Sequence, residues 1–161
     1  MEQSEKRWLL LGFDDDTNEF THEEFFTEPE AEEKMAQEFC SVYGADSVAR
    51  VLLETDESQA GYNPKAGIAW LRDIHGVNYD WQVTSMETKG TLWLSVVAEK
   101  EDGRIWEINP YNACTSMAEA LKAARFYEEN CKCHVIWIYE RLKDGREVVR
   151  WLKRIEERLR N

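Results

Sequence analysis

Two capping signatures, Thr27-Glu28-Pro29-Glu30 and Ser116-Met117-Ala118-Glu119, constrain this chain more than any other feature of it. In each, the hydroxyl can accept from an amide of the first helical turn, and the glutamate three residues on can reach back. Pro29 falls in the first turn, where a missing N–H costs nothing. Short apolar runs separated by turn residues precede each signature, so the chain has to alternate hairpins with helices. That is an α+β pattern.

Around these anchors the remaining elements follow from periodicity. A strand is expected over Arg7–Phe13, a turn at Asp14–Asn18, and a second strand over Glu19–Phe25. The first helix places Ala31, Met35, Phe39 and Val42 on one face and stops at Gly44. Val48–Glu54 reads as a strand, and the polar segment Asp56–Asn63 as a linker. A modest helix then opens at Asn63-Pro64, with Trp70, Leu71 and Ile74 on one side, and closes at Gly76. Strands follow over Asp80–Met86, Thr91–Glu99 and Arg104–Ile108, the last two joined by the turn Glu101-Asp102-Gly103 and the first two by Lys89-Gly90. Asn109-Pro110 breaks the chain, and the second capped helix runs to Asn130. His134–Glu140, apolar on both faces, is a central strand. After Lys143-Asp144-Gly145 an amphipathic helix is expected, burying Val148, Leu152, Ile155 and Leu159.

The fold class expected is therefore α+β, with two similar ββαβ units joined by a short helix and followed by a C-terminal amphipathic helix. The boundaries are 1–56 for an acidic unit, 57–89 for a linker with a short helix and strand, and 90–161 for the second unit and last helix, all within one compact domain. Trp8-Leu9 matches Trp93-Leu94 at an offset of 85, and Ala31-Glu32, Ala36, Phe39 and Val48 match Ala118-Glu119, Ala123, Phe126 and Val135 at 87. An internal duplication is one reading. Chance is the other, because ββαβ is a common order.

Charge divides the chain more sharply than the elements do. Residues 1–60 hold seventeen acids against four bases, a net −13, while residues 61–161 hold fifteen against sixteen, a net +1. The tail turns basic, with Arg141, Lys143, Arg146, Arg150, Lys153, Arg154, Arg158 and Arg160. Such a chain repels nucleic acid at one end and attracts basic surfaces there. No apolar run approaches the ~18 residues of a membrane span, and Trp8–Phe13 is too short for a signal-peptide core. A cytoplasmic protein is expected, with Cys40, Cys114, Cys131 and Cys133 kept as thiols.

Motifs for chemistry fail on inspection. Asp14-x-Asp16-x-Asn18 has the opening spacing of a calcium loop, but Glu19 stands where glycine belongs and Phe25 where a bidentate glutamate belongs. Cys131-x-Cys133-His134 has one spacer where zinc sites use two to four, and it leads into an apolar strand. His22, His75 and His134 adjoin no nucleophile motif, and no phosphate-binding glycine loop occurs. No catalytic residue, cofactor or metal is assigned, which argues against an enzyme.

What remains is the acidic run from Asp14 to Glu38, eleven carboxylates and one lysine. An ordinary solvated face is the bland explanation. The sharper one is a binding surface made of Asp14, Asp15, Asp16, Glu19, Glu23, Glu24, Glu28, Glu30 and Glu33, docking on the basic groove of a nuclease or nucleic-acid-binding protein as a nucleic-acid mimic. By charge and size alone the analogy is with anti-CRISPR, antirestriction or toxin-immunity proteins, and no motif carries a residue over. The alternative is a small-ligand or nucleotide-binding protein, an enzyme among its options, with a pocket expected between the two ββαβ units near Tyr62, His75, Tyr79 and Arg104. A third is a homo-oligomer built on the last helix and on Trp81, Trp106 and Trp151, which the patterns leave facing outward.

Overall fold

A computed structural model describes residues 5–88, 90–107 and 114–159, with the backbone alone at 158–159. It is an α+β protein with two antiparallel sheets, of five and four strands, and four helices among the described residues. The chain divides into two compact units, Met1–Ser85 and Met86–Asn161.

In the first unit the strands are β1 (Trp8–Asp14), β2 (Glu19–Phe25), β3 (Ala60–Asn63), β4 (Ile68–Ile74) and β5 (Val77–Ser85), in the order β2-β1-β5-β4-β3. Helix α1 (Glu28–Tyr43) is capped by Thr27, whose hydroxyl accepts from Glu30 N at 3.3 Å and donates to Glu30 Oε1 at 3.0 Å. Gly44 ends it in the left-handed region at φ 95°, a conformation glycine adopts without strain. The helix buries Ala31, Met35 and Phe39, one turn apart, against Leu10, Leu71, Trp81 and Val83. Phe39 meets Tyr62 and Trp81 with ring centroids 5.5 and 6.0 Å away.

The second unit comprises β6 (Thr91–Lys100), β7 (Ile105–Glu107), α3 (Met117–Asn130), β8 (Cys133–Leu142), β9 (Glu147–Leu152) and the short α4 (Ile155–Leu159), with strand order β7-β6-β8-β9. Ser116 caps α3 as expected, accepting from Glu119 N at 3.2 Å. The helix lies on β6 and β8, burying Met117, Ala120, Leu121 and Ala124. β8 is interior to its sheet, as its apolar faces require.

Three segments differ from the sequence reading. Val48–Glu54 is a helix, α2. Ser47 Oγ accepts from Arg50 N at 3.1 Å, and Arg50 bridges Asp46 and Glu54, one turn to either side. This local support outweighs the β-branched composition. The expected helix over Asn63–Gly76 is instead the end of β3, a turn and β4. Asn63 Oδ1 accepts from Ala66 N, and the chain then runs Ile68 to Arg72 with every residue buried. His75 and Gly76, at φ 54° and 82°, form the two-residue turn into β5, the twist that hairpins favour. The expected linker 57–89 thus supplies three strands of the first sheet, and its described residues contain no short helix. Finally, the expected amphipathic helix from Arg146 is strand β9 followed by α4. The strand buries Arg150 and Trp151, while Val148 is exposed.

The duplication is not shown. Cap-to-cap superposition of the helices aligns Ala31 with Ala120, whereas the matched Ala118 is exposed and Phe126 is 59% exposed against 0% for Phe39. Val48 lies in a helix and Val135 in a strand. The units read ββααβββ and ββαββα rather than ββαβ twice. Of the three tryptophans expected outside, Trp106 is exposed, while Trp81 and Trp151 are core. The Asn109-Pro110 break, Ile108, Lys89 of the expected turn, the Leu159 side chain and the tail bases Arg158 and Arg160 lie outside the described residues.

Candidate acidic face

The turn Asp14–Asn18 and edge strand β2 bring six of the eleven carboxylates of the Asp14–Glu38 run to one border of the first sheet. Their roles differ. Asp14 Oδ1 accepts from Thr17 N at 2.8 Å and Thr17 Oγ1 at 2.9 Å, shaping the turn. Asp15 reaches across to β5, where Oδ1 takes the Asn78 amide at 2.8 Å and Oδ2 its side chain at 2.6 Å. These two carboxylates therefore hold the fold, as does Glu30 in its capping pair. Burial, and then the charges of Asp14, Asp16 and Asp15, push the Tyr79 hydroxyl above its ordinary range.

Asp16, Glu19, Glu23, Glu24 and Glu33 are exposed, and among the described residues none is paired with a lysine or arginine. The pairing register decides where they point. Glu19 and Glu23 stand opposite Asp14 and Leu10 of β1, on the face that α1 covers, whereas Glu24 stands opposite Leu9 on the reverse face. The acids therefore wrap an edge strand. On α1, Glu28 and Glu32 lie one turn apart, and Glu32 is held above the usual carboxylate range by burial, then by its hydrogen bond to Glu28 and by that residue's charge. Like charges so placed repel.

In the second unit five of the described arginines find carboxylate partners at home. Arg104 pairs with Asp102, Arg141 with Glu147, Arg146 with Asp144 and Arg154 with Glu157, at 2.7–3.0 Å. Arg150 clasps the buried Glu140 through two nitrogens, at 3.1 and 2.5 Å. Among the described tail arginines, Arg141, Arg146, Arg150 and Arg154 each have a carboxylate of their own unit within reach.

A hollow of about 150 Å³ lies where β1, β2 and α1 meet, lined by Leu10, Gly12, Thr21, Glu23, Glu38 and Trp81, with His22 beside them. From sequence, Glu38 is only the end of the acidic run and Trp81 an outward-facing tryptophan; neither is assigned to a pocket. The available signal was Gly12, a glycine inside an apolar strand, which marks a gap or close approach. For the pocket reading, Tyr62 and Tyr79 share the helix-covered face, His75 sits exposed in the β4–β5 turn, and Arg104 belongs to the second unit. Cys133 donates to the Cys131 carbonyl at 3.3 Å, and burial pushes its thiol pKa up. Among the described residues no three His, Cys, Asp or Glu side chains converge as a metal would require, and no helix is long and apolar enough to cross a membrane. No protein-family model, curated protein or solved structure matches the chain.

Proposed function

We propose that this protein binds, and thereby inhibits, a partner with a basic surface, a nuclease or nucleic-acid-binding protein, through the acidic border of its first unit. The observation that supports this reading most is the set of exposed carboxylates on β2 and α1 that have no lysine or arginine partner among the described residues, whereas five arginines of the second unit pair with acids of their own unit. Crowded like charges cost stability, and a basic partner offsets that cost. Grooves that track phosphates carry the complementary lysines and arginines. Association through such a face is fast and weakens with salt.

The structure separates carboxylates that can be changed from those that hold the fold. Reversing Asp16, Glu19, Glu24 and Glu33 to lysine leaves Asp14, Asp15 and Glu30 in place. Immobilised wild-type protein is expected to capture basic nucleic-acid-binding proteins at low salt and release them at high salt. The quadruple variant should capture none while keeping its circular dichroism spectrum. Equal capture by the variant contradicts the proposal.

A further inference from the structure

The row Thr21–Gly12–Trp81 runs across three strands on the face beneath α1. At its centre a side chain is missing. A Cβ at residue 12 would meet Thr21 Oγ1 at 3.2 Å and Trp81 Cδ1 at 3.6 Å, so a single carbon would already occupy the floor. Leu10 and Trp81 give the hollow apolar walls, and Glu23 and Glu38 bring carboxylates to it from β2 and α1. Trp81 Nε1 donates to Glu38 Oε1 at 3.3 Å, which holds that carboxylate against the indole. Among the described residues neither glutamate is paired with a lysine or arginine.

A small hollow that offers Leu10 and Trp81 beside two glutamates fits a long basic side chain, whose methylene stem prefers apolar contacts and whose head seeks an anion. Size decides against a metabolite. The roughly 150 Å³ available is below the ~300–1,000 Å³ of small-molecule sites. We infer that this hollow receives one cationic side chain, an arginine or lysine of a protein partner, between Glu23 and Glu38. The inference rests on the docking reading above and narrows it from a charged border to one pocket.

The test uses isotope-labelled full-length protein titrated with N-acetyl-arginine amide, N-acetyl-lysine amide and, as neutral control, N-acetyl-glutamine amide, at constant ionic strength. The readout is the Trp81 indole N–H resonance. A saturable shift at Trp81 with either cationic probe, and none with the neutral one, is expected; the two cationic arms rank guanidinium against ammonium. Glu23→Gln with Glu38→Gln, which keeps shape and the acceptor for Trp81, should weaken binding about tenfold or more. Gly12→Val, which keeps every carboxylate but fills the floor, should abolish it. A shift that never saturates, an equal response to the neutral probe, or unchanged binding in the double glutamine variant overturns the inference. Should Gly12→Val fail to fold, the glutamine variant still decides. Saturable probe binding without salt-sensitive capture by the acidic border defeats the docking reading alone. Capture lost on reversing Asp16, Glu19, Glu24 and Glu33, without saturable probe binding, defeats the pocket alone.

Discussion

The two units differ most in how they handle charge. Met1–Ser85 carries a net −13 and Met86–Asn161 a net +1. Each contains a buried arginine–carboxylate pair, Arg72–Asp80 at 2.7 Å in the first and Arg150–Glu140 at 2.5 Å in the second. On the surface they part. Among the described residues, the second unit closes Arg104, Arg141 and Arg146 onto nearby acids in turns and strands, and the first leaves Glu19, Glu23, Glu24 and Glu33 without a lysine or arginine along an edge strand and a helix. Carboxylates on an edge strand also discourage unwanted strand pairing. That role needs only a few of them.

The largest effect expected tests the shared feature. Glu140→Ala strands a buried guanidinium and should cost about 3–5 kcal/mol, as should Asp80→Ala in the first unit. Denaturant unfolding measures both, and a cost below about 1 kcal/mol in either would show that its pair is not what holds that sheet. Next comes the core under α1. Met35→Ala, at a fully buried position, should cost about 2–5 kcal/mol with loss of amide protection across β1 and β5.

Surface charge gives a smaller effect of opposite sign in the two units. Glu24→Lys or Glu33→Lys relieves repulsion and should stabilise by at most about 0.5 kcal/mol. Arg146→Glu breaks a local pair and should slightly destabilise the second unit. Matching signs in both units would erase the contrast.

The smallest expected effect is in pH. Burial, and then the Lys153 ammonium 3.3 Å from its Nε2, hold the His134 pKa below its ordinary value, against the opposing pull of Glu99. The unfolded chain therefore takes up a proton first, so the second unit loses stability as pH falls below about 6.5. Glu32 behaves oppositely. Its pKa is raised in the fold, so the penalty on its charged form is relieved as pH falls toward the carboxylate range, and the first unit gains. Hydrogen exchange between pH 7 and 5 should show protection falling in β8 and holding or rising in α1. His134→Gln should flatten the β8 trend; a trend that persists in that variant would assign it elsewhere.

The parts of the fold legible in the sequence are those that local chemistry fixes. Thr27, Glu30 and Gly44 bound α1 because caps and a left-handed terminus act within a few residues. Ser116 starts α3 for the same reason. The Glu19–Phe25 strand alternates only partly, yet the Asp-rich turn before it set its position. Illegible parts depended on what covers a segment. Ile68–Arg72 is buried throughout, so its apolar residues carry no period, and Trp70, Leu71 and Ile74 fit a helical stripe as well as a strand. Val48–Glu54 looks like a strand by composition, but only Val51 is buried and Leu53 is 86% exposed. Trp151 seemed off the stripe because the stripe assumed a helix. The acidic border was half legible. Its existence follows from composition, but the division between Asp14 or Asp15, which hold turns, and Glu19 or Glu24, which are free to meet a partner, follows only from the hydrogen bonds.

The most direct measurement is the near-surface electrostatic potential, read at each amide from paramagnetic relaxation by cationic and anionic nitroxide cosolutes. The most negative values should fall on β2, the Asp14–Asn18 turn and α1, with values near zero over β8 and β9. A potential spread evenly over both units, or no more negative at β2 than at β9, would contradict the existence of an unneutralised face.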